Sequence, residues 1–145
     1  MTRWLSLTGW IMAIIALVSV AEASETTRAN YILNCSGCHG MTGMGTLEGG
    51  IPPFPDSVQK IANSENGRTY LLHVPGVVDN DMTDAEVADV LNYILDQWGD
   101  GEGHFTETEV SVRRAVEIGD VVVYRRQLVT ELGATGIVIA DYPWP

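Results

Sequence analysis

The chain has 145 residues, with 19 acidic side chains against 8 basic ones, a formal net charge of −11 and Lys60 as its only lysine. That balance excludes the nucleic-acid-binding classes, which need a basic face to neutralise phosphates. The acidity suits either the solubility of a secreted chain or a field that steers a basic protein partner, and the length suits one small domain with a modest core.

The N-terminus reads as an address. Arg3 supplies a positive start, an apolar run follows from Gly9 to Val20, and Ala21-Glu22-Ala23 forms a small-x-small cleavage site before polar Ser24. This layout predicts a signal peptide over residues 1–23, cleaved after Ala23. The competing reading is an uncleaved anchor, but the run from Trp4 to Val20 falls short of the roughly 20 apolar residues a span needs. Cleavage removes Arg3 and Glu22 together, so the mature chain from Ser24 keeps a net charge of −11. The expectation is a periplasmic or otherwise exported protein with no stable membrane anchor.

Two cysteines in an exported chain first suggest a disulfide. Their spacing suggests different chemistry. Cys35-Ser36-Gly37-Cys38-His39 is C-x-x-C-H, the attachment sequence of c-type haem. Two thiols on one turn of chain can each form a thioether to one porphyrin vinyl group. The next residue, His39, then lies under the iron and offers a neutral imidazole. Small Ser36 and Gly37 let the backbone press against the porphyrin edge. A redox dithiol is the first competitor, but no βαβ pattern surrounds the motif. Half of a zinc site is the second, but no further cysteine pair follows.

The flanks of the motif resemble a class I, mono-haem c-type cytochrome over about residues 26–98. A short helix leads into the motif, with Tyr31, Ile32 and Leu33 supplying apolar contacts. Gly40-Met41-Thr42-Gly43-Met44-Gly45 follows as a glycine-rich loop. Ile51-Pro52-Pro53-Phe54 matches the place where the family has a proline whose carbonyl accepts the hydrogen bond of the proximal imidazole. The resemblance puts that role on Pro52, a contact that fixes the ring's tautomer and tunes the iron. Residues 83–98 resemble the family's last core helix. The residues support that helix independently. Thr83-Asp84-Ala85-Glu86 is a capping box, and Val87, Val90, Leu91, Ile94, Leu95 and Trp98 fall on one helical stripe. Tyr93 reads as a packing residue. The resemblance implies a mainly α fold, a cytochrome c-like bundle of short helices around one covalently bound haem.

The sixth iron ligand departs from the family pattern. Class I cytochromes place a methionine in the loop before the last helix, and here that loop holds only Met82, immediately before the N-cap Thr83. Met82 is either a displaced distal ligand or a hydrophobic staple against Val87. His73, at the end of a helix expected over residues 68–73, is the alternative distal ligand. It would give a lower potential than methionine does. Met41 and Met44 are expected against the haem edge and His104 at the surface. The remaining possibility is an open iron, which permits gas binding or peroxidatic chemistry.

Residues 99–145 form a C-terminal extension expected to pack on or cap the domain of residues 24–98. Gly99-Asp100-Gly101-Glu102-Gly103 reads as a flexible break. Phe105 to Glu109 reads as a capped helix start, and residues 120–132 as a helix ended by Gly133, although Val121-Val122-Val123-Tyr124 suits a strand equally. Arg113, Arg114, Arg125 and Arg126 are expected to balance charge within the molecule. The function implied is single-electron transfer by an exported haem protein that is not an enzyme. Its partners would be an exported dehydrogenase, another cytochrome or a terminal oxidase.

Overall fold

A computed structural model describes residues 23–140 and Tyr142. The leader of residues 1–22 lies outside the described residues. The fold is mainly α. Among the described residues the only β pairing is an isolated bridge between Thr46 and Ile51. The helices are α1 (23–34), α2 (Ser36–His39), α3 (Val58–Ala62), α4 (Glu65–Leu71), α5 (Pro75–Val78), α6 (Asp84–Trp98), α7 (Glu107–Arg114) and α8 (Val121–Ala134). None is long and apolar enough to cross a membrane.

Helix α6 is the spine. Thr83 caps it: its hydroxyl accepts from the Glu86 amide, and the Glu86 carboxylate accepts from the Thr83 amide at 2.8 Å. Two of the helix's unpaired amides are thereby satisfied. The Glu86 carboxyl is held below its usual range by these Thr83 bonds. Val87, Val90, Leu91, Ile94 and Leu95 are all buried, as their 3.6-residue spacing requires. Replacing Thr83 with alanine is expected to cost about 1 kcal/mol. Urea unfolding of the holoprotein should show a lower midpoint with an unchanged slope.

Helix α1 departs from expectation. Tyr31 is fully buried, but Ile32 and Leu33 are exposed, Leu33 at 79%. Successive helical residues turn by about 100°, so three in a row cannot share one buried face. Helix α4 also differs in its bounds. It starts at Glu65, capped by the Ser64 hydroxyl on the Gly67 amide, and ends at Leu71, before His73.

The extension folds onto the same core. Val110, Leu128, Leu132 and Ile139 join the cluster that holds Tyr31, Leu91 and Leu95. Helix α7 packs on α6 and α4, and α8 packs on α4. Thr106 caps α7 through the Glu109 amide, and Phe105 is buried. The valine run after Asp120 is helical, not a strand. The Asp120 carboxylate accepts from the amides of Val122 at 2.8 Å and Val123 at 2.9 Å, and this cap commits the chain to a helix despite its β-branched residues. That helix runs through Gly133 to Ala134.

The glycine-rich break after α6 is tied down. Gln59 accepts from the Asp100 amide and donates to the Glu102 carbonyl, while Arg68 donates to the Gly103 carbonyl at 2.8 Å. His104 lies half-exposed beside Asp96, 2.8 Å from its carboxylate.

Candidate functional site

The C-x-x-C-H segment begins where α1 ends. The amides of Cys38 and His39 bond back to the Cys35 carbonyl at 3.2 and 3.0 Å, so the five residues coil into a tight turn. Cys35 is half-buried, Cys38 is exposed, and neither is in a disulfide. Burial pushes the Cys35 thiol up to about 11, so it stays protonated at neutral pH.

The loop that follows clamps the turn. The Tyr31 hydroxyl donates to the Gly40 carbonyl at 2.6 Å, the Gly45 amide to the His39 carbonyl at 3.0 Å, and the Phe54 amide to the Gly43 carbonyl at 2.8 Å. Burial pushes the Tyr31 phenol up to about 12. Two glycines are needed here. Gly43 has φ +69°, and a Cβ on it would lie 2.7 Å from the Trp98 ring. Gly45 has φ +63°, and a Cβ on it would overlap the Ile51 carbonyl.

His39 is oriented by an aromatic relay from α6 and α1. Its ring stacks on Phe54 at 3.9 Å with a 15° interplanar angle. Phe54 meets Trp98 at 5.4 Å, and Trp98 meets Tyr31 at 5.3 Å and Tyr93 at 6.2 Å. Tyr93 is therefore part of the packing. Burial lowers the His39 pKa to about 4, opposed by the nearby Pro52 carbonyl, so the imidazole is neutral at pH 7. Its Nδ1 is buried and completes no hydrogen bond.

Cys35, Cys38, His39 and Pro52 all line one cavity. It encloses about 170 Å³ and opens to a wider mouth. Val58, Ile61, Leu71, Leu91 and Ile94 form much of the wall. A porphyrin is a large, flat, apolar group, and this wall fits it.

The polar part of the wall comes from α4 and from the extension. Arg125 and Tyr142 line the cavity beside Tyr70. Arg125 is only 3% exposed, and its Nε has no hydrogen-bond partner. Another guanidinium nitrogen donates to the Ala140 carbonyl, and the group lies 5.1 Å from the Tyr70 ring centre. The Tyr70 and Tyr142 hydroxyls are 3.2 Å apart. No aspartate or glutamate is among the described residues that line the cavity. A buried guanidinium needs negative charge nearby. An occupant bearing carboxylates, as haem does through its propionates, meets that need. Arg113 and Arg114 do balance charge locally, on Glu65, Glu109 and Asp84. Arg125 instead faces the site. Its sequence neighbourhood carries no motif that distinguishes it from Arg126.

The structure does not bring either candidate sixth ligand to the cavity wall. Both ring nitrogens of His73 lie against backbone carbonyls, Nδ1 at 2.8 Å from Thr69 and Nε2 at 2.7 Å from Val116. Met82 packs half-buried against the core and is not among the residues lining the cavity. Met41 and Met44 are exposed, at 52% and 57%.

Comparison with known proteins agrees with this geometry. The chain is 32% identical to a cytochrome c-552 of Thermus thermophilus over 131 aligned residues, covering 74% of this chain and 87% of that one. It is 33% identical over 113 residues to a second cytochrome c-552 of Thermus thermophilus, covering 62% of this chain and 86% of the relative. No protein-family model matches the chain. No solved structure matches it. With the attachment motif on an apolar cavity and relatives of this kind over most of its length, the chain belongs to the class I c-type cytochromes.

Proposed function

We propose that this protein carries single electrons between redox partners through one covalently attached haem. The observation that carries the reading is the convergence of Cys35, Cys38 and His39 on a single apolar cavity whose buried cation lacks a carboxylate from the described lining.

The haem supplies one-electron exchange at its iron. The residues of the chain do the rest. Cys35 and Cys38 would hold the ring as thioethers, each S–H adding across one vinyl group. His39 offers a neutral ring nitrogen, aimed by its stack on Phe54. Pro52 supplies a carbonyl that can accept the Nδ1 proton and so set the tautomer. Arg125, Tyr70 and Tyr142 offer donors to the propionates. The aliphatic wall excludes water, which keeps the cost of reorganising the surroundings low when charge changes.

Two features of the sequence support export and a basic partner. The leader pattern supports an exported space, where covalent haem attachment takes place. The net charge of −11 favours a partner with a basic docking face, such as an exported dehydrogenase, another cytochrome or a terminal oxidase.

Haem staining after denaturing electrophoresis, followed by a pyridine haemochrome assay, should give one covalent haem per chain. A colourless band sinks the proposal. Reversible cycling between oxidised and reduced spectra should follow. Arg125→Leu removes positive charge from the cavity wall, which favours the oxidised state. By Coulomb's law at an effective dielectric constant of about 20, the cost is on the order of 1–2 kcal/mol, lowering the potential by roughly 40–90 mV. Potentiometric titration of both proteins measures it.

A further inference from the structure

The backbone of His39 is held more firmly than its ring. Its amide donates to the Cys35 carbonyl at 3.0 Å, and its carbonyl accepts from the Gly45 amide at 3.0 Å, so the main chain is fixed on both sides. The ring has no such tie. Its Nδ1 completes no hydrogen bond, although the Pro52 carbonyl lies close by. An imidazole bound to iron through one nitrogen can turn about that bond unless something lies against its edge or its face.

Phe54 lies against its face. The two ring centres are 3.9 Å apart and the planes 15° from parallel, which is full van der Waals contact. Turning the imidazole about an axis in its own plane drives its edge into the benzene ring. Phe54 itself is anchored at both ends. Its amide donates to the Gly43 carbonyl at 2.8 Å, and its carbonyl accepts from the amides of Ser57 at 3.1 Å and Val58 at 2.8 Å. Its ring leans on Trp98 at 5.4 Å. Trp98 in turn packs against Tyr31 at 5.3 Å and Tyr93 at 6.2 Å, and over Gly43, where a Cβ would lie 2.7 Å from the indole. The stop against rotation is thus built by the clamp loop, α1 and α6 together.

We propose that Phe54 is a positioning residue that fixes the plane of the His39 imidazole, and with it the direction in which the oxidised haem spreads its unpaired electron. The proposal rests on the haem reading above and deepens it. The π orbital of an axial imidazole stands perpendicular to the ring, so the ring plane selects which iron d orbital is half filled. That orbital decides which part of the porphyrin edge shares the unpaired spin, and it is the orbital an arriving electron enters. Pro52 has a separate task, since a carbonyl at Nδ1 sets the tautomer. The residue type at position 54 matters because only a flat side chain presents a whole face to the imidazole. A leucine fills the space with a rounded surface and leaves the ring free to rock.

The test is proton NMR of the purified holoprotein and of the Phe54→Leu, Phe54→Tyr and Thr83→Ala variants. In the oxidised protein the four haem methyl resonances spread according to where the unpaired spin lies. The parent and Phe54→Tyr should show the same order of these resonances. Phe54→Leu should change the order or shrink the spread by about half, because a rocking ring averages over orientations. Thr83→Ala weakens the fold at the opposite end of α6 from Trp98 and should keep the parent's pattern, which separates positioning from loss of stability. In the reduced parent, a nuclear Overhauser effect should join the Phe54 and His39 ring protons, a measurement that needs no variant. The proposal is overturned by a Phe54→Leu spectrum that keeps the parent's order and spread, or by the absence of that Overhauser effect. It is equally overturned by a Phe54→Tyr or Thr83→Ala pattern that follows Phe54→Leu. All of these outcomes leave the haem reading standing. A polypeptide without haem stain overturns that reading and the proposal together, so the two failures are distinguishable.

Discussion

Replacing Cys35 and Cys38 together with alanine is expected to abolish covalent haem and to lower the thermal midpoint of the remaining protein by about 12–20 °C. The two effects have separate causes. Without thiols there is no S–H to add across the vinyl groups, so the denatured band loses its stain completely. The stability effect comes from the cavity. Its wall is built from Val58, Ile61, Leu71, Leu91 and Ile94, which also belong to the core. A group that binds only the folded state stabilises it by about 4 kcal/mol when present at roughly a thousand times its dissociation constant, and covalent tethering acts at least that strongly. For a chain of this length a loss of about 4 kcal/mol gives the stated shift, by interpolation between small and medium domains. Single replacements should behave differently. Cys35→Ala and Cys38→Ala each leave one thiol, so each retains a stained band of reduced intensity. Differential scanning calorimetry and haem staining of the three variants check both parts. A double variant that melts with the parent would mean that the haem does not contribute to the core.

The second large effect is expected at Arg68. This residue joins the domain to its extension. Its guanidinium meets both carboxylate oxygens of Glu109, at 2.6 and 2.7 Å, and donates to the carbonyls of Ala62 and Gly103 at 3.1 and 2.8 Å. It also lies 3.8 Å over the Phe105 ring. The Arg68 and Glu109 side chains are 12% and 23% exposed, so water reaches the pair only in part. Arg68→Ala leaves a shielded carboxylate with Arg113 as its remaining charged partner and uncovers Phe105. Losing one member of a shielded, multiply bonded pair costs about 2–4 kcal/mol, at the lower side of the range for fully buried pairs. The same substitution should change the pH profile. Bonds from Arg68 hold the Glu109 carboxyl below its usual range, with Arg113 adding to the effect. A carboxylate whose pKa is depressed on folding stabilises the fold above its unfolded pKa, and loses that contribution as pH falls through the folded value. The parent should therefore lose stability below about pH 4.5, the ordinary carboxylate range, more steeply than Arg68→Ala. Melting both proteins between pH 7 and pH 3 measures the difference. Parallel curves would mean that Glu109 draws its stabilisation from Arg113 instead.

Much of this protein is written in local sequence. Cys35, Cys38 and His39 are adjacent, and one turn of backbone suffices to set their spacing, so their chemistry is legible without tertiary structure. Helix α6 is equally local. The Thr83–Glu86 box and a six-residue apolar stripe state its start and its buried face. Thr106 and Asp120 likewise announce α7 and α8 through side chains that reach amides two or three residues away. Local patterns misled where a neighbour decided the outcome. Ile32 and Leu33 are as apolar as any core residue, but the turn of α1 directs only Tyr31 inward. The glycines after α6 signal flexibility, but Gln59 and Arg68, some 35 to 43 residues away, hold their backbone.

The cavity itself belongs to the tertiary structure. Arg125 is one of two consecutive arginines on an acidic chain, and nothing in its flanks marks it as buried. Packing of α8 on α4 brings it beside Tyr70 and Tyr142 and into the wall of the site. The same holds for the sixth ligand. Sequence alone named Met82 and His73 because both residue types bind iron and both precede the last core helix. Their actual surroundings depend on Asn80, which reels in the Met82 loop, and on the Thr69 and Val116 carbonyls on either side of the His73 ring. The sequence by itself determined the covalent chemistry, because that chemistry needs only neighbouring residues on one turn. Only the tertiary structure decided what surrounds the haem, because a cavity wall is built from residues far apart in the chain, and no local pattern encodes which of them converge.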